Sequence, residues 1–367
     1  MNDKRLHRLQ AWLSQNDITF AYISHPKNVF YFSGFKCEPH ERLLGLVIFP
    51  ESEPLIICPA MEADQAKSAG WAHQVIGYQD HEDPWDALKS AFKQRDLTGH
   101  AKAIIETDYL SFARVQKLES MFTQLTIDAA EPMIEQMRMV KDPEELVHLR
   151  KAAELADFAI QTGVEAIKKG RTEQAIIAEI EYELTKRGYP EMAFSTMVLT
   201  GEKTAMPHGH PGERQIKEGD FVMFDLGVVV NGYCSDITRT FIYKHATEKQ
   251  KAIYETVLNA QQQSIAQCTI EQPMNQLDRT ARQVITDAGY GDYFPHRVGH
   301  GLGLDAHEAP SLSDANKNQL GEGMLITIEP GIYVPDIGGV RIEDDVHIGP
   351  DGPECLTKYP KDLTVID

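Results

Sequence analysis

Residues 221–241, FVMFDLGVVVNGYCSDITRTF, restrict the fold more than any other stretch of the chain. Residues 221–230 are nearly all apolar, yet Asp225 stands in their middle. Such a run reads as a buried strand. A bare carboxylate inside it costs several kcal/mol, so Asp225 needs a proton, a cation or a metal as partner. Asn231-Gly232 is a two-residue hairpin turn. Taken literally, that turn sets Val230 opposite Tyr233, Asp225 opposite Thr238 and Gly227 opposite Asp236. Asp225 and Asp236 then share a face as diagonal neighbours about 7–8 Å apart at the backbone. Their side chains can converge on one cation.

The anomaly recurs. MLITIEPGIYV (324–334) holds Glu329, and GGVRIEDDVHI (338–348) holds Glu343 and the pair Asp344-Asp345. A tight hairpin about Gly338-Gly339 does not bring Glu329 opposite Glu343, so no register follows for that pair. A third stretch, HRVGHGLGLDAHEAP (296–310), sets three histidines among three glycines. Each glycine costs a helix about 1 kcal/mol, so this is a strand or loop whose backbone approaches something closely. The helical zinc motif His-Glu-x-x-His is absent. His300 and His307 are seven apart, on opposite faces of a regular strand, so a bend at the glycines must bring them together. Four carboxylates (Asp225, Asp236, Glu329, Glu343) and one imidazole would suit two divalent metals about 3.5–4 Å apart. Oxygen-rich ligation with one nitrogen fits Mn²⁺, Co²⁺ or Zn²⁺. The competing reading is a set of ion pairs with Arg239 and Arg341, with Asp344 and Asp345 as surface or hydrogen-bonding acids. The residues alone leave both open.

The rest of the chain supplies the setting. Its 367 residues allow about two domains. Up to about residue 130, strand-like runs (18–24, 44–49, 55–58, 102–106) alternate with helix-like ones (near 61–69, 84–95, 109–121), the pattern of a small α/β domain. Asp142-Pro143-Glu144-Glu145 then starts a long helix that Gly170 ends. Further helices run from Thr172 to about Arg187, from Thr247 with Gln250 completing a capping box, and from about Asn275 to Ala288. Strands lie between them, which makes the second half α+β. A formal charge of −19 argues against nucleic-acid or anionic-membrane partners. Five scattered cysteines without a C-x-x-C, no signal-peptide core and no long apolar span suggest a cytoplasmic protein with free thiols.

FDLG, GYCSDITRTF, HRVGHGLGLDAHE, TIEPGIY and GVRIEDD, in this order and spacing, resemble the pita-bread metallopeptidases. That family includes methionine aminopeptidase, aminopeptidase P and prolidase. The likeness runs from about residue 135 to the end. It implies an α+β chain with a pita-bread catalytic domain (138–367) behind a smaller creatinase-like α/β domain (1–130). It implies the ligand set Asp225, Asp236, His300, Glu329 and Glu343. It implies two divalent ions, with manganese expected and cobalt or zinc as alternatives, and a bridging water or hydroxide as nucleophile. Glu329 would also move the proton. MPHGHPGER (206–214) matches the family's Pro-His-Gly segment, making His208 the catalytic-pocket histidine. His296 and His307 would hydrogen-bond the substrate, Arg341 would support the ligands, and Glu308 would be structural. His210 has no role in this scheme.

YFSGF (31–35), PHERLLGLVIF (39–49) and YQDHEDPWDAL (78–88) most resemble short bacterial prolidases. The expected activity is hydrolysis of Xaa-Pro dipeptides by a homodimer. Residues 35–43 are the candidate loop that caps the site against longer peptides, or else a solvated connector. Aminopeptidase P, metal-independent creatinase and a non-catalytic peptide-binding module are the alternatives. The complete ligand set speaks against the last two.

Overall fold

A computed structural model describes residues 2–367, with the side chain of Asn2 left aside. The chain divides into two compact units, Met1–Met137 and Arg138–Asp367.

The first unit is built on one mixed sheet. Its strands are β1 (Phe20–Ile23), β2 (Gly45–Ile48), β3 (Leu55–Pro59), β4 (Gln74–Tyr78), β5 (His100–Ile105) and β6 (Gln124–Ala129), in the order β4-β3-β2-β1-β5-β6. The four central strands are those that hydrophobic runs predict. β4 and β6 are not, because they form the two edges and carry half-exposed, polar residues. Glu106, just beyond β5, is buried and accepts from the backbone N–H groups of Ser24 (2.5 Å) and His25 (2.6 Å). It thereby meets the positive end of the helix Pro26–Ser33. Residues 35–43 form an irregular connector in which Phe35, Cys37 and Leu43 are buried and Lys36, Glu38 and His40 are exposed. Arg42 within it pairs with Asp80 at 2.8 Å.

The second unit is α+β. Its strands are β7 (Met197–Thr200), β8 (Phe221–Leu226), β9 (Val229–Val230), β10 (Tyr233–Cys234), β11 (Ile237–Tyr243), β12 (Gly299–Gly301), β13 (Glu308–Leu312), β14 (Leu325–Ile328), β15 (Gly331–Val334), β16 (Gly338–Arg341), β17 (Asp344–Gly349), β18 (Gly352–Cys355) and β19 (Val365–Ile366). They make two main sheets, β19-β11-β8-β7 and β13-β12-β14-β17-β18, and two ribbons, β9-β10 and β15-β16. The helices Pro143–Glu165 and Glu173–Lys186 pack their apolar faces on the first sheet through Ala156, Ile160, Ile180, Phe224 and Ile237. The helices Glu248–Ala266 and Met274–Asp287 cover the second through Ile253, Val257, Leu277, Ile326 and Val346.

Capping follows the sequence. Asp142 and Thr247 each close a capping box, with Glu145 and Gln250 respectively. The first long helix, however, ends at Glu165, with Ala166 as its C-cap, and not at Gly170. Ile167 still reaches the core, from the turn beyond the helix. Among the described residues all five cysteines are free thiols, and no helix is long and apolar enough to cross a membrane.

Candidate metal centre

Two long hairpins deliver the acids. The first keeps one register throughout, from Thr238 opposite Asp225 in β11–β8 to Tyr233 opposite Val230 at the Asn231-Gly232 turn. Its ladder breaks between Leu226 and Val229 on one strand and between Cys234 and Ile237 on the other. Asp236 sits in that break. The second hairpin also keeps one register, from Leu325 opposite His347 in β14–β17 to Val334 opposite Gly338 in β15–β16. Its centre is Asp336, which takes φ +69°. Carrying that register through the break between β14 and β15 places Glu329 opposite Glu343. The turn expected at Gly338-Gly339 lies instead at residues 335–337, and this is why the sequence yielded no pairing. At the breaks the hairpins are stitched together. The N–H of Glu343 donates to Thr238 O (3.1 Å), and that of Asp236 donates to Asp345 Oδ2 (3.1 Å).

His300 comes from β12, pressed between β13 and β14. A Cβ on Gly299 would lie 2.0 Å from Thr327 O, and one on Gly301 would lie 2.1 Å from Ala309 O. The close approach that these glycines permit is to the flanking strands. A register shift between His300 and Gly301 bends the hairpin. The rings of His300 and His307 thus meet edge to face, 4.1 Å apart.

The ligating atoms converge in three overlapping groups. Asp225, Asp236 and Glu343 form one; His300, Glu329 and Glu343 form another; Asp236, His300 and His307 form the third. Within each group the atoms lie within 4.8 Å of one another. Asp236, His300 and Glu343 are buried, while the side chains of Asp225 and Glu329 are each 17% exposed.

Among the described residues Arg341 is the guanidinium that reaches a carboxylate of this set, while Arg239 donates to the backbone oxygen of Glu343 (2.5 Å). Arg341 donates to Asp225 Oδ2, to Thr238 Oγ1 (3.1 Å) and to Tyr333 Oη (2.8 Å). Thr238 Oγ1 in turn donates a hydrogen bond to Glu343 Oε2 at 2.7 Å. The His296 ring bridges Arg297 O and Tyr333 Oη, at 2.8 Å each. Burial lowers the pKa of His296, which favours the neutral ring. Nδ1 then donates to the carbonyl and Nε2 accepts from the Tyr333 hydroxyl. Tyr333 and Thr238 were not singled out in the sequence, although both lie inside the quoted motifs. His208 and His210 are exposed. His208 is close enough to help burial lower the pKa of His296 and His307.

The electrostatics suit bound cations. Burial, then Glu343, Asp225 and Asp345, raise Asp236 well above the usual carboxylate range. Burial, then Glu329 and Asp225, do the same to Glu343. Burial also raises Asp345 well above it. Only Glu329 is lowered, to about 2: burial pushes it up, and the His300 hydrogen bond with the charges of His300, His296 and Arg341 more than offsets that. Oδ1 of Asp236 and Oδ1 of Asp345 are buried without a hydrogen-bond partner among the described residues. Asp225, Asp236, Glu329 and Glu343 face one another with Arg341 paired to Asp225, and divalent ions would offset the excess of negative charge. Hard carboxylate oxygens with one imidazole are a donor set suited to such ions. The residues present fit the group.

Of the expectation that Asp344 and Asp345 are surface or hydrogen-bonding acids, burial overturns the first half and their hydrogen bonds bear out the second. Asp344 pairs with Arg239 and Lys361. Glu308 pairs with Arg138 and with Lys141 (2.8 Å), in keeping with a structural role.

Two family descriptions match the chain. "Metallopeptidase family M24" covers residues 147–350, and "Creatinase/Prolidase N-terminal domain" covers residues 5–140. YkvY of Bacillus subtilis, provisionally named a dipeptidase, is 52% identical over 362 residues, spanning 99% of each chain. Among solved structures, a prolidase from Thermococcus sibiricus superposes with a TM-score of 0.92 at 33% identity, over 100% of this chain and 99% of that one. An X-Pro aminopeptidase from Thermotoga maritima does so with a TM-score of 0.89 at 30% identity, over 99% and 100%.

Proposed function

The chain belongs to metallopeptidase family M24, with a creatinase/prolidase N-terminal domain ahead of a pita-bread domain, and from that premise we propose that it is a dinuclear Xaa-Pro dipeptidase. The observation that carries this reading is the convergence of Asp225, Asp236, His300, Glu329 and Glu343 within overlapping 4.8 Å groups. These five residues would hold two divalent ions. Manganese is the proposed ion, with cobalt or zinc suited to the same donors. When bound, such ions polarise a carbonyl and supply hydroxide at neutral pH.

The chain's own residues do the rest. Glu329, which faces His300 Nε2 at 3.3 Å, would take up and hand on a proton. His208 and His307 would donate to the substrate where charge develops, and His296 would join them only by giving up its contact with Arg297 O or Tyr333 Oη. Arg341 holds Asp225 and Tyr333, and Tyr333 holds the ring of His296. An Xaa-Pro bond has no N–H and a restricted φ, so recognition rests on shape and on the carbonyl. Domain limits of 1–130 and 138–367, a homodimer and a cytoplasmic location complete the proposal.

The structural likeness to an X-Pro aminopeptidase keeps a second reading in play: removal of the first residue from longer peptides with proline second. A substrate-length series with a defined metal load separates the two. The dipeptidase reading expects Ala-Pro to be cleaved and Ala-Pro-Ala to be refused. Faster cleavage of the tripeptide transfers the assignment to the aminopeptidase. No cleavage of either, with metal bound, leaves a peptide-binding module.

A further inference from the structure

The segment that carries His208 has little regular structure beyond the short turn Gly201–Ala205. Among the described residues the His208 ring makes no side-chain hydrogen bond, so its place follows from the backbone. One buried carboxylate ties that backbone down. Glu173 opens the helix Glu173–Lys186, and its side chain is 0% exposed. It is not the cap, because Thr172 accepts from Ala175 N and fills that role. Glu173 instead turns toward residues 200–212. Its Oε1 accepts from Thr200 N (2.8 Å) and Thr200 Oγ1 (3.0 Å). Its Oε2 accepts from Gly212 N (2.8 Å) and pairs with Lys203 Nζ. A single carboxylate therefore fastens both ends of the segment, with His208 between them.

The middle is pinned as well. Thr204 Oγ1 donates to Gly201 O (2.6 Å) and accepts from Gly339 N (2.7 Å). Arg341, which grips Asp225, also reaches Pro207 O at 3.5 Å. A neutral residue could tie a surface loop with less desolvation, and a fully buried carboxylate is a weak device for stability alone. We infer that Glu173 is a positioning residue for His208, holding its segment in the geometry the reaction needs. This rests on the reading of His208 as a catalytic residue.

The test is a double-mutant cycle on Ala-Pro hydrolysis with Glu173→Gln, His208→Ala and the pair, at equal metal load. His208→Ala should lower kcat about 10²-fold with both metals retained by atomic absorption. Glu173→Gln should lower kcat about 10-fold or more, because small misplacements of a reacting group are costly. The double variant should be no slower than His208→Ala, since a positioning residue has nothing left to position. If the two losses multiply instead, Glu173 acts through the fold at large and the inference is overturned. If His208→Ala keeps its kcat, the catalytic reading of His208 falls first and the inference with it. Should Glu173→Gln not fold, Lys203→Met and Thr200→Val each remove one donor. Each should cost about 3-fold and show the same non-additivity; multiplying losses there overturn the inference equally.

Discussion

Glu343 and Asp344 are neighbours on the chain, both buried, and their surroundings are opposite in kind. Asp344 has its counter-ions built in. Oδ1 meets Arg239 Nη2 (2.7 Å) and Thr357 Oγ1 (2.8 Å), while Oδ2 meets Lys361 Nζ (2.6 Å) and Gln261 Nε2 (2.8 Å). Burial pushes its pKa up, but Arg239 and Lys361 more than offset that and hold it low. Glu343, in the break just before the strand, looks at Glu329 and Asp225, and its pKa is pushed well up by burial and by them. One step along the chain, from the start of β17 into the break before it, crosses from a closed ion-pair network into an acid cluster. A buried acid is not diagnostic in itself. Its partners decide whether it belongs to the scaffold or waits for a cation.

The sharpest way to break this comparison is to remove the metals. Exhaustive chelation should abolish Xaa-Pro hydrolysis, and Mn²⁺ or Co²⁺ should restore it. Stability should fall with it, by about 2.7 kcal/mol for each ion lost relative to protein at a hundredfold excess of metal over Kd. Unchanged turnover after chelation would remove the metal mechanism altogether. Next in size is Glu329→Gln, which should cost about 10²–10⁴ in kcat while the circular dichroism spectrum is retained. Near-normal activity in that variant would unseat Glu329 as the proton carrier.

Much of this contrast was legible in the sequence, and the gaps have physical reasons. Asp225 stood out because an apolar strand cannot hold a bare carboxylate, and the Asn-Gly turn fixed its register to Thr238. Glu329 and Glu343 stood out for the same reason, but their pairing stayed hidden. Their turn is centred on Asp336, a non-glycine residue at positive φ, while the adjacent glycine pair drew the eye. Asp344 and Asp345 could not be separated by type, because only their partners distinguish them. Tyr333, Thr238 and Glu173 act through hydrogen bonds between distant parts of the chain, and no local spacing encodes those. In the first unit, the edge strands β4 and β6 lacked the hydrophobic runs that betray central strands.

Asp344→Asn tests the closed half of the comparison. The amide leaves Arg239 and Lys361 buried or half-buried without a counter-charge. Breaking a buried pair in this way costs about 3–5 kcal/mol. Urea unfolding should show that loss equally in metal-loaded and metal-stripped protein, since no ion compensates it. A loss confined to the loaded form would place Asp344 among the metal ligands and dissolve the contrast.

Glu343→Gln should have the smallest effect on the stripped protein, and its smallness is the point. There the carboxyl faces other acids, so exchanging it for an amide of the same shape removes a burden and keeps the hydrogen bond from Thr238 Oγ1. Stripped stability should stay within about 1 kcal/mol of the parent, or rise. The metal-loaded protein should differ, because one shared ligand oxygen has lost its charge. The gap in thermal midpoint between loaded and stripped forms should therefore narrow relative to the parent. If stripped Glu343→Gln is instead as unstable as Asp344→Asn, Glu343 is held by the scaffold and not by ions, and the distinction between the two neighbours fails.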